Sequence, residues 1–296
     1  MNRLFLILLC CISLLVSCSK PSTLEELPSQ WVACDDFKVH YKSYGHEDPA
    51  LVFVHGFGCD TESWREQFPF FAHRNFRMVF IDLPGFGKSD KPQVDYSLDF
   101  YAHSVKTVLD SLQITDPILI GHSFGAPICR QVARNYPQLN AALCKVDEAI
   151  SRFPADSIVR EEYLKEMNGF VQMFATDSID GVLQLFISSL FQENSPQAVK
   201  DYAFGVMSQT PQYVAYSTMR NFVIERYWDE TPTEIPTLAV VSKNSVIWDD
   251  NEAYVRQMFL NLTYKEMSNV SHFLMMERPD EFNHILIGFI SDRMKK

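Results

Sequence analysis

Positive charge is in short supply in this chain. Its 296 residues carry 26 Lys and Arg against 37 Asp and Glu, a formal net charge of −11. That balance argues against nucleic acid as a partner and against an electrostatic hold on anionic lipid. A glycine-rich phosphate loop, a dinucleotide fingerprint, a set of residues at metal-ligand spacing and an internal repeat are all missing. No cofactor and no metal are therefore called for. Of seven cysteines, Cys10 and Cys11 fall in an amino-terminal apolar run and Cys18 closes it. The remaining Cys34, Cys59, Cys129 and Cys144 match neither a disulfide-rich small domain nor a zinc site. Cys129 and Cys144 lie in apolar segments, as core thiols do. Cys34 and Cys59 are left as the one pair worth testing for a disulfide. What is abundant is apolar bulk: 47% hydrophobic residues and 23 phenylalanines, enough for a large core or an apolar substrate cavity.

The first residues stand apart from the rest. Met1-Asn2-Arg3 is a short basic start, Leu4 to Val16 is nearly all apolar, and small residues follow. This reads as a secretory signal over residues 1–17, with a run too short for a comfortable membrane span. Leu15-Val16-Ser17-Cys18 resembles the lipobox of bacterial lipoproteins, which implies cleavage before Cys18 and lipid on its thiol. The expectation is an exported protein of the bacterial cell envelope, anchored in a membrane. Residues 18–30 are polar with two prolines and read as a tether.

From residue 31 strand and helix patterns alternate. Strands are expected at Phe37–Tyr44, Ala50–His55, Arg77–Asp82, Pro117–Gly121 and Ala141–Val146, with helices at Ser97–Leu112 and Ala126–Tyr136. Trp64, Phe68 and Phe71 also lie at helical spacing. The rhythm breaks after Asp147, where residues 150–233 show only helical stretches: 158–174, 179–191, 197–207 and 212–226. Alternation returns with strands 237–241 and 262–267 and helices 251–259 and 282–294. The fold class expected is α/β, a mostly parallel sheet flanked by helices. Its core covers residues 31–149 and 234–296, and a helical cap (150–233) interrupts it between two late strands.

Gly121-His122-Ser123-Phe124-Gly125 sits between an expected strand and an expected helix. G-x-S-x-G in that setting is a nucleophile elbow: the serine occupies a strained turn, and the glycines let neighbouring backbone crowd past it. Three more segments agree. Residues 53–58 (FVHGFG) resemble the oxyanion loop of the α/β-hydrolase superfamily, and residues 82–90 (DLPGFGKSD) the loop after its next strand. Residues 270–282 (VSHFLMMERPDEF) resemble its catalytic-histidine loop and final helix. The resemblance runs in order over residues 35–147 and 235–293 and implies an α/β-hydrolase fold with residues 150–233 as cap.

Each site residue has its own chemistry. An unaided alcohol is too weakly acidic to attack, so Ser123 needs a base, and His272 is placed to supply it. The oxyanion would be held by the backbone N–H groups of Phe57 and Phe124, leaving both rings to wall the acyl pocket. His55, Gly56 and His122 sit beside the site as shaping residues. His40, His46, His73, His103 and His284 fall on distant elements or surfaces. The acid departs from the common pattern, because Ser242-Lys243-Asn244-Ser245 lacks the aspartate expected there. Asp147, at a strand end, is favoured; Glu148 and Asp249 remain open, although Asp249 and Asp250 can equally cap the helix near Asn251. Dehalogenases and epoxide hydrolases of this superfamily use an aspartate at the elbow, chemistry that a serine cannot follow by the same route. The function expected is hydrolysis of a small to medium apolar ester through an acyl-enzyme. A lactone, a thioester, a peracid or a carbon–carbon bond beside a ketone are alternatives on the same residues. A ligand sensor using the pocket would not require nucleophile, base and oxyanion loop together.

Overall fold

The computed structural model describes residues 20–148, 153–176, 178–228, 231–243 and 251–295. The signal segment and Cys18 therefore lie outside the described residues, as do Asp249 and Asp250. In chain order the elements are β1 (Gln30–Cys34), β2 (Phe37–Tyr44), β3 (Ala50–Val54), α1 (Gln67–Ala72), β4 (Arg77–Ile81), α2 (Leu98–Ser111), β5 (Pro117–His122), α3 (Gly125–Asn135) and β6 (Ala142–Val146). Then come α4 (Ser157–Met173), α5 (Ile179–Ser189), α6 (Gln197–Met207), α7 (Gln212–Phe222), β7 (Thr237–Ser242), α8 (Asn251–Met258), β8 (Leu262–Met267), α9 (Leu274–Glu277) and α10 (Pro279–Met294).

The strands form one sheet in the order β1-β2-β4-β3-β5-β6-β7-β8. β1, β2 and β4 pair antiparallel, and every pairing from β4 across to β8 is parallel. Composition follows position. β3, β5, β6 and β7 are buried along their whole length, as strands covered on both faces must be, whereas in the edge strand β8 only Met267 is buried and the residues before it are half-buried or exposed. α2 and α3 pack on each other and on the sheet, while α10 packs on α1, α9 and β7. Helix starts carry local signals: Ser97 caps α2 by accepting the Phe100 N–H, and Pro279 with Asp280 and Glu281 opens α10.

Among the described residues four α-helices, α4 to α7, and a short 3-10 turn at Glu225–Trp228 come between β6 and β7. α7 is seated by Asp95, whose Oδ1 accepts from Ser217 Oγ (3.1 Å), Arg220 Nη2 (2.6 Å) and Asn221 Nδ2 (2.6 Å). The Tyr101 and Thr218 hydroxyls bond at 2.8 Å beneath it.

Two expectations are corrected. The stretch read as a tether is packed in part: Leu24 and Leu27 are buried in the core, and Lys42 Nζ donates to the Leu24 carbonyl at 3.0 Å. Two leucines spaced by a turn were enough to draw the segment onto the domain. β1 follows at once, one strand earlier than the first expected, joined to β2 by a two-residue turn in which Asp35 has φ +49°. Cys34 and Cys59 are both free and buried, Cys34 lying 3.4 Å from the Thr107 hydroxyl on α2.

Candidate active site

The carboxyl ends of β3, β5 and β6 meet at the elbow. β5 ends at His122, and Ser123 turns the chain with φ +50°, the left-handed region that a residue with a Cβ rarely enters. Its N–H still bonds the Val146 carbonyl of β6 at 2.8 Å, so the turn stays tied to the sheet. Both flanking glycines are sterically required. A Cβ on Gly121 would lie 2.4 Å from the Gly125 carbonyl oxygen, and one on Gly125 would lie 2.4 Å from that of Val54. α3 therefore starts directly behind the serine with its positive end toward it. Among the described residues the N–H groups of Phe57 and Phe124 donate to no protein acceptor.

Asp147 follows β6 and also has a positive φ, +42°. It is fully buried, its N–H bonds Val240 O, and its two oxygens are committed to separate partners. Oδ1 accepts the Ser242 N–H at 2.8 Å, and Oδ2 lies 2.7 Å from His272 Nδ1. That bond makes Nδ1 the protonated nitrogen and leaves the Nε2 lone pair on the opposite edge of the ring. The His272 and His122 ring centroids are 4.8 Å apart, which sets the imidazole over the residue preceding the serine. Among the described residues the Ser123 hydroxyl makes no hydrogen bond to that ring; such bonds commonly tighten only with substrate in place. Glu148 is engaged elsewhere, in an ion pair with Lys145, and does not join this group.

The shaping residues act as braces. His55 Nε2 accepts the Leu83 N–H at 2.9 Å and Nδ1 donates to Gly56 O at 2.7 Å, tying the loop after β3 to the loop after β4. Burial pulls its pKa down, against the pull of Asp82, and both bonds suit the neutral ring. His122 Nε2 donates to the His272 carbonyl at 2.9 Å. Burial and then the neighbouring His272 push its pKa well below the usual range, so it is a neutral brace. Gly56 leaves room for both: a Cβ there would sit 3.0 Å from His122 Nδ1 and 3.2 Å from Ser123 Cβ.

One buried group escaped the sequence reading. Asp82, in the loop after β4, accepts from the Thr61 N–H (2.7 Å), the Lys88 N–H (2.8 Å) and His40 Nδ1 (2.8 Å). Burial alone would raise its pKa, but the His40 bond and the remaining partners hold it below the usual carboxylate value. His40, expected on a distant element, is thus a buried partner of this loop. The only signal was the segment 82–90 itself, which carried a resemblance but no role for a residue.

Aromatic rings enclose the two oxyanion candidates. Phe57 meets Phe86, Phe174 and Phe186 edge-on at 5.6, 6.1 and 5.7 Å, and Phe124 meets Tyr101 at 5.3 Å and Phe222 at 5.8 Å. Phe174, Phe186 and Phe222 come from the inserted helices. Cys34, Asp35 and His103 form the one group, among the described residues, whose donors approach metal-binding spacing; it shares no residue with the elbow loops.

A strand-to-helix serine elbow at the carboxyl edge of a mostly parallel sheet, with a helical insertion above it, defines a class of hydrolases. The chain belongs to the α/β-hydrolase family: the model of the alpha/beta hydrolase fold matches residues 49–279. It is a hydrolase by that membership. Epoxide hydrolase 1 of Caenorhabditis elegans is 34% identical over 123 residues, 40% of this chain but only 30% of that protein. Epoxide hydrolase 4 of Mus musculus is 25% identical over 281 residues, 88% of this chain and 78% of that protein. Among solved structures, an esterase (EaEST) from Exiguobacterium antarcticum matches 89% of this chain and 100% of its own, with a TM-score of 0.76 at 17% identity, a likeness of fold.

Proposed function

We propose that the chain is a serine esterase that cleaves small to medium apolar esters through an acyl-enzyme. The observation that carries this reading is the 2.7 Å bond from His272 to the buried Asp147, beside a serine held at φ +50°. Ser123 is the nucleophile. His272 takes its proton through Nε2 and returns it to the leaving alcohol, and Asp147 holds the tautomer and stabilises the imidazolium. The N–H groups of Phe57 and Phe124, with the α3 terminus behind them, receive the oxyanion, each donor contributing about 2.7–4 kcal/mol. Water then attacks the acyl-enzyme with His272 again as base. Rings around Phe57 and Phe124 favour an apolar acyl or alcohol group. The names of the epoxide hydrolases do not carry over, because Ser123 stands where that chemistry calls for an aspartate.

Turnover of p-nitrophenyl butyrate, abolished in Ser123→Ala with the fold retained, is the expected result. Hydrolysis that persists in that variant overturns the assignment. The lipobox-like residues 15–18 support export and lipid anchoring at Cys18. Cys18→Ser is then expected to leave the membrane fraction or to accumulate as precursor, and unchanged partition with unchanged mature mass would count against the anchor.

A further inference from the structure

His272 lies in a loop without regular structure between β8 and α9, so its ring direction depends on what holds the backbone. From the core side, Ser242 Oγ donates to the Val270 carbonyl at 2.6 Å and His122 Nε2 to that of His272 at 2.9 Å. From the other side come three contacts, all from the segment joining α5 to α6. The His272 N–H donates to Leu190 O at 3.2 Å, Gln192 Nε2 donates to Val270 O at 2.9 Å, and the Phe191 ring stacks on Phe273 at 5.3 Å with 10° between planes. The segment is itself braced. The Gln192 N–H donates to Ser195 Oγ (3.1 Å), the Ser195 N–H returns to Gln192 O (3.1 Å), and Pro196 opens α6.

We propose that Leu190–Gln192 positions the His272 imidazole, making Phe191 and Gln192 positioning residues for ester hydrolysis. The proposal rests on His272 being the base of that reaction. Neither side chain needs to touch substrate. Gln192 holds the carbonyl of Val270, two residues before His272, and Phe191 holds the ring of Phe273, the residue after it; a displacement of about 1 Å in a reacting group can cost on the order of 100-fold in rate. The inserted helices then do more than wall the pocket: they complete the machinery.

The test is steady-state hydrolysis of p-nitrophenyl butyrate by the full chain. Gln192→Ala, Phe191→Leu and the similarly shaped Gln192→Glu, which has no N–H to give, are each expected to lower kcat about tenfold with KM within about twofold, a barrier change near 1.4 kcal/mol. Gln184→Ala, on the exposed side of α5, is expected to match wild type. Thermal unfolding of every variant is measured so that lost folding is not read as lost positioning. The decisive arm is the His272→Ala background, where Gln192→Ala should cause no further loss of residual turnover, because a residue acting through the imidazole has nothing left to act on. The same tenfold loss there, a change in KM in place of kcat, or full activity in Gln192→Glu would overturn the proposal. Wild-type turnover by His272→Ala alone would instead remove the base assignment, which no Gln192 variant by itself can do.

Discussion

Asp82 and Asp147 each follow the last residue of a sheet strand, β4 and β6, and each holds a histidine Nδ1, at 2.8 Å from His40 and 2.7 Å from His272. Both carboxylates are buried, and as pairs they are nearly superposable in chemistry. Their surroundings separate them. His40 is fully buried on β2, its Nε2 meets no hydrogen-bond partner among the described residues, and its ring lies against Trp31 at 5.0 Å. Asp82 spends its remaining capacity on the amides of Thr61 and Lys88, which pins the segment after the oxyanion loop to the loop after β4. His272 instead stands on a loop with its side chain 16% exposed, beside the elbow. An aspartate–histidine bond is therefore no signature of catalysis in itself. Access and a proton to take make the difference.

Breaking the two pairs in parallel sharpens the contrast. Asp147→Asn should lower kcat roughly 10³–10⁴-fold, with KM far less changed and the unfolding midpoint little moved, because the imidazole loses its tautomer and its counter-charge. Comparable kcat in Asp147→Asn and wild type would move the acid to another residue. Asp82→Asn should do the reverse. It removes the acceptor for His40 Nδ1 or for one loop amide, costs roughly 3 kcal/mol of stability, and leaves kcat per folded molecule within about tenfold. Denaturant titration alongside kinetics separates the two outcomes.

The pH dependence of that stability loss has a definite sign. The carboxyl of Asp82 is held below its ordinary value in the folded chain. Its contribution is therefore complete above the unfolded-state carboxylate pKa, about 3.9, and fades as pH falls through the lower folded value. The gap between wild type and Asp82→Asn should be widest near neutrality and narrow in acid. A gap that widens on acidification would contradict the assignment of this stability to the Asp82 carboxylate. Smallest of all should be Phe186→Ala, which opens the ring cluster around Phe57 and raises KM for an apolar ester about three- to tenfold with little change in kcat. A drop in kcat with KM unaltered would place Phe186 in the chemistry rather than the wall.

Much of this was legible in the residues, for local reasons. The inner strands read as uninterrupted apolar runs because they are covered on both faces, and the elbow declared itself through two glycines whose Cβ atoms would strike carbonyl oxygens. Asp147 was accessible because a strand end fixes where the next side chain goes. Longer-range facts were not. Nothing in positions 40 and 82 says that they meet, since the pairing depends on β2 lying next to β4. The contact between residues 190–192 and 270–273 is likewise a product of tertiary closure. Leu24 and Leu27 looked like tether because two leucines among polar residues carry no period.

The most direct test of the central claim is labelling of the full chain with a fluorophosphonate, followed by peptide mapping of the adduct. The expected result is one adduct, on Ser123, lost in Ser123→Ala, much slowed in His272→Ala and Asp147→Asn, and retained in Asp82→Asn. An adduct on another residue, labelling that survives Ser123→Ala, or equal slowing by both aspartate substitutions would contradict it.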